Sequence, residues 1–258
     1  MYHEVLDVVE RQKHTRSMVP LYCLSVLQFR QQMEYLRDAR FRAVTVEELA
    51  RGEVARDEKS VAITFDDGLV GNHTFAFPIL QQVEMKASFF VLVGSVGEAG
   101  YLGWEQAREM EQAGMVIGSH TLTHVPLENE PDEVVRRELG ESKAILEDKL
   151  GSAVRHLSVP HGSIDARVVR IARESGYASI CTSVLGVGLS PGHPTLIHRI
   201  PVLDTYDLKT FGRIVELDRR FIGRLALAKK LKNGLKRIIG IENYRRLYRW
   251  YFNIELAD

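Results

Sequence analysis

Short apolar, β-branched runs alternate along this chain with stretches of helical periodicity, and that alternation restricts the fold more than any other feature. The runs fall at 61–65, 87–93, 115–118, 156–159, 179–183 and 199–203, and helical patterns stand at 29–39, 104–113, 131–150 and 165–175. In the first helical pattern Phe29, Met33 and Leu36 share a face. The second ends at Gly114, the third opens on Pro-Asp-Glu and stops at Gly151, and the fourth stops at Gly176. Proline near the start and glycine just past the end are the expected boundary chemistry of helices. Strand–helix alternation predicts an α/β fold with a mostly parallel sheet and helices outside it, either open or closed into a barrel.

The composition is that of an ordinary soluble protein, 45% hydrophobic and 26% charged, and 258 residues can bury a core without disulfides. Cys23 and Cys181 have no metal-ligand spacing and read as small buried hydrophobes in a reducing compartment. No apolar run approaches a membrane span, and the opening MYHEVLDVVERQKH is too polar for a signal peptide, so a cytoplasmic protein is expected. The formal net charge of zero conceals an asymmetry. Between Arg219 and Arg249 stand 11 Lys or Arg against one acid, Glu242, so the rest of the chain sums to −10.

Functional side chains in such folds sit at the carboxyl ends of strands. Three polar clusters fall there: Asp66-Asp67-Gly68 after VAITF, His120-Thr-Leu-Thr-His124 after MVIGS, and Pro160-His161-Gly162 after HLSV. Adjacent carboxylates at a strand end point in different directions, so one can bind a cation while the other faces a substrate; alone, Asp-Asp-Gly is as readily a turn. The His-x-x-x-His spacing puts both imidazoles on one side of a helical turn, a common way to present nitrogen ligands, although an isolated pair is often ordinary surface. Two histidines and one aspartate leave a metal with an open position for water. The same set suits catalytic zinc and the facial triad of non-haem iron enzymes.

The stretches TFDDG, PILQQVEMKASFFVLVG and WEQAREMEQAGMVIGSHTLTH closely resemble the polysaccharide deacetylases with a NodB-homology domain, carbohydrate esterase family 4. The resemblance covers roughly residues 2–207 and is strongest over 61–162. It implies a deformed (β/α) barrel in which Asp67, His120 and His124 hold a divalent metal and Asp66 is the catalytic base. The metal implied is zinc, with cobalt, nickel, manganese or iron compatible with the same donors. It further implies that the backbone of Pro160-His161-Gly162 provides the oxyanion donor, with the His161 side chain lining the pocket. An arginine that orients the base usually precedes this loop; Ser158 stands in its place. A histidine after Leu-x is the family's general acid, and Leu196-Ile197-His198 has that form, although many relatives carry only Arg-Ile-Pro here. Tyr2-His3 resembles the Tyr-His that ends the first barrel strand. With Met1 directly before it, either the barrel opens at that point or the chain starts further upstream. His73 is expected to line the cleft, and Trp104 to open a helix and pack on the barrel.

The implied substrate is an N-acetylated amino sugar in a polysaccharide or glycan precursor. The alternatives are a lipid-linked sugar deacetylated or deformylated at the cytoplasmic membrane face, and a non-catalytic glycan-binding protein that keeps the fold. The family's usual boundary divides the chain into a deacetylase domain, 1–218, and a basic amphipathic helical extension, 219–258. In the extension Leu227, Leu231, Leu235 and Ile238 share one helical face and Tyr244, Leu247, Tyr248 and Tyr251 another, predicting two helices broken near Gly240. The extension either packs on the barrel with a solvated basic face or attaches through 219–252 to an anionic membrane surface. Nucleic acid is not expected, because charge alone supports it and no recognition motif does.

Overall fold

A computed structural model describes residues 1–7, 20–55, 58–162, 164–190 and 192–239. Two short parallel pairs come first: β1 (Glu4–Leu6) with β2 (Cys23–Ser25), and β3 (Arg42–Val44) with β4 (Ser60–Ala62). The main sheet is built from β5 (Thr64–Phe65), β6 (Ser88–Val91), β7 (Val116–Ser119), β8 (His156–Ser158), β9 (Ser179–Leu185), β10 (Gly188–Ser190) and β11 (His193–Arg199). Its seven strands lie in the order β10-β11-β9-β8-β7-β6-β5, all parallel except the β10–β11 hairpin. The helices among the described residues are α1 (Val26–Asp38), α2 (Val46–Arg51), α3 (Phe77–Gln82), α4 (Trp104–Gln112), α5 (Asp132–Leu150), α6 (Ala166–Glu174), α7 (Leu208–Val215) and α8 (Arg219–Ile239). The sheet curls with helices outside it, as expected of a deformed (β/α) barrel.

Local chemistry sets the helix ends. Ser25 and Gln28 form a reciprocal capping box on α1, Thr45 and Glu48 another on α2, and Gly151 at φ 74° ends α5. Strand β6 is buried along its whole length, as a parallel strand covered on both faces must be. Inside the curl, Phe65 stacks on Phe89 with centroids 4.6 Å apart, and Tyr2 and Phe29 complete the aromatic cluster.

The barrel does not simply open at Met1. Tyr2 N–H donates to Thr64 O (2.7 Å) and Asp66 N–H to Tyr2 O (3.0 Å). The Met1 main-chain nitrogen donates to Ile200 O (3.0 Å), and Met1 O accepts from Val202 N–H (2.9 Å). Residues 1–2 therefore bridge β5 to the segment leaving β11.

The strand expected at 199–203 is corrected to His193–Arg199. Pro201 has no N–H for a ladder, and its neighbours Ile200 and Val202 turn to Met1 instead. The run 61–65 is likewise broken at Ile63 into β4 and β5. Strands β1 to β3, three residues each, are too short for periodicity to reveal. Cys23 and Cys181 are buried and form no disulfide. The first expected basic helix is α8, capped by Asp218, whose Oδ1 accepts from Phe221 N–H (3.0 Å). The second, beyond Gly240, lies outside the described residues.

Candidate active site

Strand β5 delivers two carboxylates that diverge. Asp66 is 2% exposed and faces Arg199. Asp67 has φ 75°, a left-handed conformation that aspartate tolerates better than most residues, and Gly68 continues it at φ 68°. A side chain at Gly68 would also come within 3.1 Å of the Val91 backbone, so the turn needs glycine for space as well as conformation.

The histidine pair follows β7, but not on the helical turn its spacing predicts. Thr121 and His124 both have positive φ, 69° and 63°. The cause is Glu138 of α5, fully buried, whose carboxylate accepts from Leu122 N–H (3.0 Å), Thr123 N–H (2.8 Å) and Thr123 Oγ1 (2.6 Å). Two main-chain donors are thereby drawn out of any local helix and onto a neighbouring element.

The loop brings His120 Nε2 to 3.2 Å and His124 Nε2 to 3.5 Å from Asp67 Oδ1. The three candidate ligand atoms all lie within 4.8 Å of one another. His120 Nδ1 meets Ser158 O at 2.8 Å, which places its proton on Nδ1 and leaves Nε2 free as a ligand. In the metal-free protein Nε2 also takes up a proton toward Asp67, and although burial opposes charge on both groups that hydrogen bond outweighs it. Asp67 is held well below the usual carboxylate range and His120 is raised. Two convergent imidazole nitrogens and one anionic oxygen, with an outer carbonyl fixing a tautomer, fit a divalent cation.

The arginine missing at Ser158 is supplied from β11. Arg199, 6% exposed, grips Asp66 through Nη1–Oδ1 (2.7 Å) and Nη2–Oδ2 (2.8 Å). Its Nη2 also donates to Ser158 Oγ (2.8 Å), so the small side chain at 158 both makes room for the guanidinium and holds it. Burial would raise the Asp66 pKa, but the charge of Arg199 outweighs it and leaves Asp66 at about 2. Sequence reasoning missed Arg199; its only signal was its position next to Leu-Ile-His.

Pro160 is buried, and His161 (φ 58°) and Gly162 (φ 69°) turn sharply after β8. The His161 ring lies 4.7 Å from that of His124, which sets this turn beside the metal ligands. Burial and then the neighbouring His124 lower the His161 pKa. A Cβ at Gly162 would sit 2.7 Å from Ser183 Cβ.

His198 is not brought to this cluster. Its Nδ1 meets Thr182 Oγ1 at 3.0 Å and its ring lies against Gly186. Strand β11 shifts register against β9 between Ile197 and Arg199, and there Arg199 turns to Asp66 while His198 turns to Thr182. His3 is half-buried, its ring lies 4.6 Å from that of Tyr22, its Nδ1 has no hydrogen-bond partner, and the charges of Asp66, Asp67 and His120 act on it. Its pKa is lowered by burial. His73 pairs with Glu109 at 2.8 Å, and Trp104 opens α4 and packs against the core.

Residues 53–180 match the family description "Polysaccharide deacetylase". The chain is 29% identical over 192 residues to YxkH of Bacillus subtilis, a provisionally assigned polysaccharide deacetylase, covering 73% of this chain and 69% of that one. It is 30% identical over 132 residues to the peptidoglycan-N-acetylglucosamine deacetylase of Bacillus cereus, covering 51% of this chain and 60% of that one. Among solved structures, the Streptococcus pyogenes deacetylase PplD in complex with acetate superposes with a TM-score of 0.75 at 26% identity, over 83% of this chain and 95% of that one. A curled α/β sheet with this Asp-Asp and His-x-x-x-His arrangement at its strand ends defines a carbohydrate de-N-acetylase, a hydrolase of amide bonds. The chain belongs to the polysaccharide deacetylase family with a NodB-homology domain.

Proposed function

We propose that this chain removes N-acetyl groups from amino-sugar residues of a polysaccharide or glycan precursor, using a divalent ion held by Asp67, His120 and His124. The observation that carries this reading is the division of labour between adjacent carboxylates: Asp67 turns to the two imidazoles while Asp66 turns to Arg199. A divalent ion at the first position, zinc foremost and cobalt, nickel, manganese or iron with the same donors, supplies Lewis acidity toward the amide carbonyl and acidifies water. Asp66, kept anionic by Arg199, takes the proton of the attacking water. A backbone N–H of the Pro160–Gly162 turn stabilises the charge that develops on the carbonyl oxygen. As the C–N bond breaks, the departing amine takes the proton that Asp66 removed from the water, passed on through the neutral imidazole of His3, while His198 stays bonded to Thr182.

The relatives support the substrate class: the Bacillus cereus enzyme is named for N-acetylglucosamine in peptidoglycan, and the PplD structure contains acetate, the acid that deacetylation releases. The cationic α8 favours a second reading, a lipid-linked amino sugar at the inner membrane face.

The test is acetate release from chitooligosaccharides and peptidoglycan fragments, before and after metal removal. Asp66→Asn should retain bound metal while losing turnover. Turnover that persists in Asp66→Asn, or in metal-free protein, overturns the reading.

A further inference from the structure

The helix α8 takes no part in the site, and its two long faces differ. Its 21 residues, RRFIGRLALAKKLKNGLKRII, hold eight Lys or Arg and no acid. The first turns are pinned to the body. Asp218 caps them, the Arg213 guanidinium covers the Phe221 ring at 4.4 Å, and Phe221, Ile222 and Leu225 are half-buried. Leu227 and Leu231, one helical turn apart, fall on a different stripe and are 58% and 65% exposed. At the helical angular step, positions 235 and 238 continue that stripe and Arg220 and Arg224 precede it toward the body, whereas 229, 230, 232, 236 and 237 fall outside it and all carry Lys or Arg. A leucine stripe flanked by cations is the pattern of a helix that lies in the plane of a bilayer interface.

Two further observations give this face a direction. Leu217, two residues before α8, is itself 48% exposed, so an exposed apolar side chain also stands at the base of the helix. The total formal charge is zero, so with eight cations on α8 the remainder of the chain sums to −8. An anionic surface therefore attracts this helix while repelling the rest of the molecule. Among the described residues no helix is long and apolar enough to cross a membrane.

We propose that α8 docks this protein onto an anionic lipid bilayer, with Leu227 and Leu231 in the acyl boundary and its Lys and Arg residues at the headgroups. Nucleic acid explains the charge but not the leucines, because binding to single strands calls for exposed aromatic stacking faces, and the one aromatic ring of α8, Phe221, lies beneath Arg213. The proposal stands apart from the catalytic reading and survives its failure.

Co-sedimentation of the full chain with phosphatidylcholine vesicles, with and without phosphatidylglycerol, tests it. Binding is expected only to the anionic vesicles and to weaken with added salt. Leu227→Gln with Leu231→Gln, exposed positions changed to a good helix former, should lower the partition constant roughly a hundredfold, about tenfold for each leucine. Lys229→Gln with Lys230→Gln should lower it roughly tenfold or more. Circular dichroism and acetate release from a soluble chitooligosaccharide should match the parent in both variants, which separates docking from folding and from catalysis. Equal binding to both vesicle types, binding unchanged in the leucine variant, or tight binding to single-stranded RNA without binding to anionic vesicles would each overturn the proposal.

Discussion

Arg199 holds Asp66 by two parallel hydrogen bonds, 2.7 Å to Oδ1 and 2.8 Å to Oδ2, across 133 residues of chain. A fork of this kind fixes the orientation of the carboxylate as well as its charge, which a point cation such as lysine cannot do. Arg199→Lys should therefore lower kcat by roughly tenfold to a hundredfold while leaving bound metal unchanged. Metal analysis alongside steady-state kinetics checks this, and a parallel loss of metal would count against a role confined to Asp66.

The same pair sets a pH dependence. The folded Asp66 pKa, about 2, lies below its ordinary 3.8, so the stability it contributes is complete above 3.8 and is lost as pH falls toward about 2. In Arg199→Gln, burial acts on Asp66 without its main opposing charge, and the pKa should rise. The acid limb of kcat/KM should then move to higher pH, and acid unfolding should begin at higher pH. Unshifted limbs in both titrations would contradict the assigned cause.

Glu138 touches no substrate, yet it shapes the loop that carries both metal histidines. Glu138→Leu keeps roughly the size but removes both accepting oxygens, leaving the N–H groups of Leu122 and Thr123 without an acceptor. It should cost about 3 kcal/mol of stability and weaken metal affinity roughly tenfold to a hundredfold. Urea denaturation and metal competition measure the two effects. Near-normal kcat at saturating metal is the outcome that distinguishes loop positioning from a chemical role.

Removing metal with a chelator should abolish turnover, and adding zinc back should restore it. Asp67→Ala should lose the metal outright, because Asp67 is the only anionic donor among the three ligands. Metal content by mass spectrometry and acetate release report on the two steps separately.

His3→Gln and His198→Gln form a paired comparison. Loss of a general acid typically costs about 10²–10⁴ in rate, so His3→Gln should fall in that range for an amide and lose much less on an ester with a good leaving group. His198→Gln, next to Thr182, should stay within about threefold of the parent, on the same reasoning that a group out of reach transfers no proton. The reverse ranking would return the general acid to His198.

The parts of the site that sequence alone determined are those made by short-range chemistry. Asp67, His120 and His124 belong to two contiguous motifs at strand ends, and each motif announces both its residue types and its place in the strand–helix alternation. The helix boundaries were legible for the same reason, since Pro, Gly and capping residues act within one turn of themselves. Tertiary structure decided what depended on register and closure. Moving the last parallel strand from 199–203 to 193–199, with a register shift between Ile197 and Arg199, settled that Arg199 meets Asp66 while His198 meets Thr182. The pairing of residues 1–2 with β5 and with Ile200 set His3 where the charges of Asp66, Asp67 and His120 act on it, and the buried Glu138 accepts main-chain hydrogen bonds from a left-handed loop where a helical turn was expected. These contacts join residues far apart in the chain, where local spacing carries no signal of which side chain will meet which.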